Sequence, residues 1–352
     1  MSTAQEFEKV LDQSDKTVVS FDAGQRHPLQ RVQHFLHGNP AMVPLIVLVF
    51  SIAAFGLIIG VKFFFALPLI LQQVAISAIV GAAQTLVVLT AGIDLSVGAI
   101  MVLSSVVMGQ FAFHGFILKG FTILPPLPTP IAILFGFACG ALCGLLNGTL
   151  IARMKLPPFI VTLGTWQIIL ATNFLYSANE TIRSQDIAAQ APLLQLISGN
   201  SIIVVMFLVV FALWYVLNHT AWGRHIYAIG DDSDAAELSG VQTKRKLVQV
   251  YVLSGIICAL AGWVLIGRLG SVSPTSGQFA NIESVTAVVI GGISLFGGRG
   301  SILGMIFGAL IVGVFSLGLR LIGTDPQWTV FLIGVLIIAA VAIDQWIRKI
   351  SG

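Results

Sequence analysis

Between Arg31 and Asp344 the chain runs through ten charge-free stretches of at least 15 residues, nine of them 18 to 37 residues long. These stretches occupy 253 of the 352 residues. Soluble domains carry roughly 25% charged residues, whereas this chain carries 9%, with 57% hydrophobic. A soluble globular fold is excluded. A bilayer core about 30 Å thick takes about 20 apolar residues of helix, so the spacing predicts an all-α, polytopic membrane protein with about ten transmembrane helices. The short alternating segments of a membrane β-barrel are absent.

The spans are predicted near residues 43–61, 68–91, 97–116, 130–151, 158–178, 201–218, 247–267, 284–297, 301–321 and 327–343. An even count puts both termini on one side. With the N-terminus inside, the inner segments hold 13 Lys and Arg and the outer ones only five: Lys62, Lys119, Arg183, Arg268 and Arg320. Insertion favours basic residues in cytoplasmic loops, which predicts cytoplasmic termini. The net charge of +3 therefore reports topology, and nucleic acid is not an expected partner. Residues 1–40 mix acids and bases without a signal-peptide pattern and are expected to be a polar, disordered cytoplasmic tail. Residues 41–352 are expected to form one transmembrane domain.

Glycines are placed rather than scattered. Gly136, Gly140, Gly144 and Gly148 recur every four residues along the fourth span, where small side chains let helices approach closely in lipid; the same stripe would also suit a substrate groove. Residues 88–98 and 288–298 share Val88/Val288, Gly92/Gly292, Ile93/Ile293, Leu95/Leu295 and Gly98/Gly298. Such internal similarity is frequent in transporters built from two halves. Cys139, Cys143 and Cys258 lie within apolar runs and are expected to be buried packing residues.

Little in the chain suggests catalysis. No histidine pair has zinc-site spacing, so no metal site is expected. No G-x-x-x-x-G-K-[ST] phosphate loop occurs, and no cofactor is expected on this chain. Asp94, ahead of the third span, is expected to cap exposed N–H groups, with ion coupling the alternative. Glu283 reads as a solvated or capping residue. Uncharged polar residues within spans, namely Gln84, Thr85, Asn147, Thr162, Thr165, Trp166, Gln167 and Asn173, suit either a path for a neutral, hydroxyl-rich solute or hydrogen bonds between helices. Trp166 would stack a sugar ring or anchor the span.

The most informative loop lies between the sixth and seventh spans. In Gly230–Val241, Asp231, Asp232, Ser233 and Asp234 open a short helical stretch, Ala235, Ala236, Glu237 and Leu238 continue it, and Ser239 and Gly240 end it. Ala235, Ala236 and Leu238 are expected to be exposed, as an apolar knob for a soluble partner or as part of a merely solvated loop. This segment resembles the coupling loop of ABC-importer permeases of the ribose and monosaccharide branch. Thr90–Gly98 looks like the T-x-G-I-D-L-S-V-G signature of that branch, Ala287–Gly300 resembles its second signature, and Ser271–Gly277 is similar to a further segment. Pro157–Asn179 with Gly223–Val241 looks most like the fructose-import permeases.

The resemblance, which spans about residues 45 to 345, implies a homodimeric pore in a bacterial inner membrane. It also implies cytoplasmic ABC ATPase subunits that bind ATP and Mg, and a periplasmic sugar-binding protein. It implies a permease subunit importing fructose or a related monosaccharide such as ribose, with Asp232–Gly240 as the ATPase-coupling loop. The alternative is a self-sufficient secondary carrier or facilitator of a neutral solute.

Overall fold

Apolar stretches free of interior proline fold as helices, and the prolines present sit where a helix tolerates them: Pro68, Pro130 and Pro158 each occupy a first helical turn. In the computed structural model, residues 41–118, 121–277 and 279–348 are described. The tail expected at 1–40 lies outside the described residues.

Helices α1 (Met42–Ile59), α2 (Val61–Phe65), α3 (Leu67–Leu89) and α4 (Val97–Phe113) come first. A two-stranded antiparallel hairpin, β1 (Phe116–Leu118) and β2 (Phe121–Leu124), follows. Then come α5 (Thr129–Met154), α6 (Pro158–Ser177), α7 (Ser184–Gln190), α8 (Ser201–His219), α9 (Ala221–Asp231) and α10 (Ser233–Leu238). The chain closes with α11 (Thr243–Leu269), α12 (Ala280–Ile290), α13 (Ile302–Ile322) and α14 (Pro326–Arg348). Among the described residues, seven helices are long and apolar enough to cross a membrane, and three shorter apolar helices accompany them. This is an integral membrane protein.

Every predicted span contains a helix, but the eighth is corrected. Expected at 284–297, it is the 11-residue α12. At 1.5 Å per residue it covers about 16 Å, half a bilayer core. The glycine pair Gly291-Gly292 ends it, and Val272 ahead of it is paired to Ile182 in extended chain.

Helices α3 and α11 form the centre and are buried over most of their length. Helices α5, α6 and α8 are buried on one face only, and leave Leu142, Ile168, Leu208 and Phe211 exposed, as lipid-facing helices do. The α5–α11 contact is made by the glycine stripe. A Cβ at Gly140 would meet the Gly255 carbonyl, one at Gly144 the Tyr251 carbonyl, and one at Gly148 would lie 2.9 Å from the Val248 Cα. Gly255 returns the contact on the Gly140 carbonyl. Gly136 extends the stripe onto α4, against Met108. Cys258 is buried, but Cys139 and Cys143 are half-buried, packed at the edge of the core.

The two similar segments make related turns, the first of them one residue out of step with the sequence match. After α3, Ala91 takes a left-handed φ of 60° and Gly92 N–H reaches back to the Val87 carbonyl (3.1 Å). After α12, Gly292 takes φ 73° and Ile293 N–H reaches the Val288 carbonyl (3.2 Å). Asp94 and Ser294 then each accept the N–H two residues on, from Ser96 (2.8 Å) and Phe296 (3.2 Å).

Candidate functional site

Two regions carry features beyond packing: a junction at one end of the bundle and a groove midway along it. At the junction, Thr220 caps α9 by accepting from Gly223 N–H (3.2 Å). Asp232 caps α10, its Oδ1 accepting from Asp234 and Ala235 N–H at 2.9 Å each. The carboxylate satisfies donors that a helix start leaves orphaned, typically worth about 1 kcal/mol. Asp232, Ser233, Asp234, Ala235, Glu237, Leu238, Ser239 and Gly240 are all exposed, and Leu238 is 91% so. Ala236 is a correction to the expected knob: it is 5% exposed. The short helix packs on α9 and α11, and Ala236 is the residue it turns inward. The exposed apolar surface is therefore Ala235 and Leu238.

Glycine fastens this helix to the bundle. A Cβ at Gly230 would meet the Leu89 carbonyl at the end of α3, and one at Gly297 would lie 2.7 Å from Ala91 N and from the Gly230 carbonyl. Gly298 N–H donates to the Leu89 carbonyl (3.1 Å), and the Tyr227 hydroxyl donates to the Gly300 carbonyl (3.0 Å). Burial pushes the Tyr227 phenol up, which keeps the donor proton in place. Backbone thus touches backbone where α9, the end of α3 and the loop after α12 meet. Gly230, two residues ahead of the Asp232 cap, thus sits against the end of α3 and the loop after α12.

From this junction residues 92–96 turn back into the bundle as non-helical chain. Backbone within a membrane must have its polar groups satisfied, and neighbouring side chains do so here. The Gln84 amide, turned to suit, donates to the Asp94 carbonyl (2.9 Å) and accepts from its N–H (3.2 Å). Thr162 donates to the Ile93 carbonyl (3.0 Å). Asn147 donates to the Ser96 hydroxyl (2.9 Å), and that hydroxyl donates to Asp94 Oδ1 (2.6 Å). Thr85 bonds its own helix at the Gly81 carbonyl (2.8 Å). The Asp94 carboxylate thus ties down Ser96, the residue ahead of α4, rather than the first N–H groups of α4 itself.

Because residues 92–96 climb before helix begins, α4 starts part-way along the bundle. Its first turn meets that of α12: a Cβ at Gly98 would lie 2.9 Å from Asn281 N. Helix α12 runs from this meeting point to the junction. Helix α4 runs the other way, to Gly109 against Val272 and Ile182. Beside the meeting point is a cavity of about 220 Å³, walled by Val102, Trp166, Asn173, Phe279, Asn281 and Ile282 among others. A second cavity of about 490 Å³ shares the Phe279 wall and is lined by Gln73, Ser77, Arg268, Ser276 and Glu283. In it Ser77 donates to Glu283 Oε2 (2.6 Å), and Arg268 donates to the Gln73 carbonyl (3.2 Å).

The family described as branched-chain amino acid transport system / permease component matches residues 67–341. That is more than half of the chain. The chain belongs to this permease family. Among the permease's relatives, the fructose import permease protein FrcC of Rhizobium meliloti is 68% identical, over 99% of this chain and 97% of its own. The ribose import permease protein RbsC of Bacillus subtilis (strain 168) is 35% identical, over 78% of this chain and 83% of its own. The galactose/methyl galactoside import permease protein MglC of Escherichia coli (strain K12) is 33% identical, over 78% and 85%. No solved structure matches.

The structure divides the polar residues singled out in the permease's sequence. Gln84, Thr85, Asn147, Thr162 and Thr165 are buried and engaged within the bundle. Gln167 lies on the exposed side of α6. Trp166 and Asn173 face the smaller cavity. Sequence reasoning missed Asn281, Phe279 and Arg268 as cavity residues. It also missed the glycine contacts of the junction, and no local pattern announces them. The polar run Gly270–Asn281 was a visible signal, since such a run between two spans marks broken helix as readily as loop.

Proposed function

We propose that this permease is the membrane-spanning subunit of an ATP-driven importer of a monosaccharide, fructose or a close relative such as ribose. The observation that carries the reading is α10, a short capped helix with an exposed leucine, which follows directly on the glycine backbone contacts between α9, the end of α3 and the loop after α12. That is the construction a docking lever needs, and the chain has no phosphate loop of its own. An identity of 68% over nearly the full length to a permease named for fructose import supports the sugar. The smaller cavity, lined by two amides and a Trp with no charged side chain on its wall, suits a neutral polyol.

In this reading ATP and Mg bind to cytoplasmic ABC ATPase subunits that dock at Asp232–Gly240. A periplasmic sugar-binding protein delivers the solute, and two copies of the permease line the pore. The membrane is the bacterial inner membrane, with both termini cytoplasmic. Membrane vesicles holding the permease with ATPase subunits and binding protein should take up radiolabelled fructose only when ATP is supplied. Uptake by this chain alone, without ATP or partners, would establish the carrier alternative instead.

The orientation is tested separately. A cysteine replacing Lys244, in the exposed start of α11, should react with an impermeant maleimide only from the cytoplasmic face, and one replacing Arg183 only from outside. The reverse pattern would invert the topology that the Lys and Arg distribution supports.

A further inference from the structure

The groove where α4 and α12 begin has a chemistry that packing does not explain. Asn173 and Asn281 are 1% and 3% exposed. Each uses its Nδ2 donor on a carbonyl, Pro274 at 2.9 Å and Leu95 at 3.4 Å, which fixes the amide orientation. Each then has an Oδ1 without a partner. Buried acceptors are nearly always satisfied, and an orphan calls for a reason. Here the two orphans belong to side chains on the wall of one cavity, which the half-buried Trp166 also lines.

The backbone adds to this. A helix start carries unpaired N–H groups and partial positive charge, and two starts meet at Gly98 and Asn281. Transporter sites recur where discontinuous helices begin part-way across the membrane. Sugar hydroxyls both donate and accept: they would donate to the two Asn oxygens and present lone pairs to the helix starts, with the apolar ring face against the indole. The volume of about 220 Å³ equals about seven waters at about 30 Å³ each, the scale of one sugar ring. Phe279, 70% exposed, separates this groove from the charged cavity of Arg268 and Glu283.

We propose that the groove between Trp166, Asn173 and Asn281 is the site where the permease itself holds a single monosaccharide during passage. The inference rests on the sugar-import reading and gives it a place. Its test uses the permease reconstituted with ATPase subunits and binding protein in proteoliposomes. In Trp166→Ala and Asn281→Ala, sugar moved per ATP hydrolysed should fall by roughly tenfold or more, as expected for loss of one buried polar or stacking partner. Binding-protein-stimulated ATP hydrolysis should stay within about twofold, because the junction is untouched, and Trp166→Phe should recover most of the transport.

Ile282, exposed on the groove wall, gives an independent readout that needs neither ATP nor a polar substitution. In a background with Cys139, Cys143 and Cys258 replaced by alanine, Ile282→Cys should react with a methanethiosulfonate reagent several-fold more slowly in saturating fructose, but not in a trisaccharide. Unchanged transport per ATP in both Ala variants, or equal Ile282→Cys reaction rates with and without fructose, would overturn the site. Absence of ATP-driven uptake by the unmodified complex would instead sink the importer reading, and protection of Ile282→Cys by fructose would then stand apart from it.

Discussion

Permease carrying leucine at Gly144 is expected to be lost as folded protein. A Cβ at that position already collides with the Tyr251 carbonyl, and the neighbouring contact at Gly140 is reciprocal, with Gly255 on the Gly140 carbonyl. No side-chain rotation relieves a clash with backbone, so α5 and α11 would have to separate. In lipid these helices have no hydrophobic drive to re-associate at a greater distance, and they hold by close dispersion contact. Overpacking by single methylenes costs about 1–3 kcal/mol. Parting the most extensive helix pair in the molecule should exceed about 3 kcal/mol, on a total stability of about 5–15 kcal/mol. The measurement is the monodisperse yield after solubilisation and the thermal unfolding midpoint. Gly164→Ala is the control, since nothing lies within 4 Å of a Cβ there. Near-normal yield and midpoint for Gly144→Leu would mean the seam is not the structural axis of the bundle.

The second large effect lies at the other extreme of exposure. Leu238→Asp should leave membrane abundance and unfolding midpoint unchanged, because the side chain is 91% exposed, yet it should abolish ATP-driven uptake. A leucine fully buried in a partner contributes about 1.5–3 kcal/mol, so its loss weakens ATPase association by roughly ten- to 150-fold. A new carboxylate in a desolvated cleft adds to that. Co-purification of the ATPase subunit with the solubilised permease reads the association directly. Ala236 is the wrong residue for this purpose: buried under its own helix, it would unseat α10 from α9 and α11 when made large, and so mix a folding defect with a docking one. If Leu238→Asp binds ATPase and transports normally, α10 is not the lever.

Much of the molecule was legible before any coordinate. Each predicted span found its helix, since charge-free length is a one-dimensional property and hydrophobic transfer acts on it residue by residue. The Asp232 cap and the short helix that it opens follow local chemistry. The eighth span was misplaced because an 11-residue helix preceded by polar chain looks the same in sequence as a loop followed by a shorter span. Ala236 was misjudged because a six-residue stretch is too short for its periodicity to show which side faces the bundle.

The sequence by itself determined that this chain enters a membrane, where its helices run, which face of α5 is small enough to be packed against, and where a short capped helix lies between the sixth and seventh spans. These are matters of local composition and spacing. Only the tertiary structure decided that residues 92–96 climb back into the bundle, that Gln84, Asn147 and Thr162 hold that segment, and that Gly230 sits on the end of α3. It alone put Asn281 beside Trp166, residues 115 positions apart. The physical reason is that a buried polar side chain carries no mark of its partner: an amide that braces the backbone and one that faces a cavity are the same residue in sequence. Which it becomes depends on what long-range packing places opposite it.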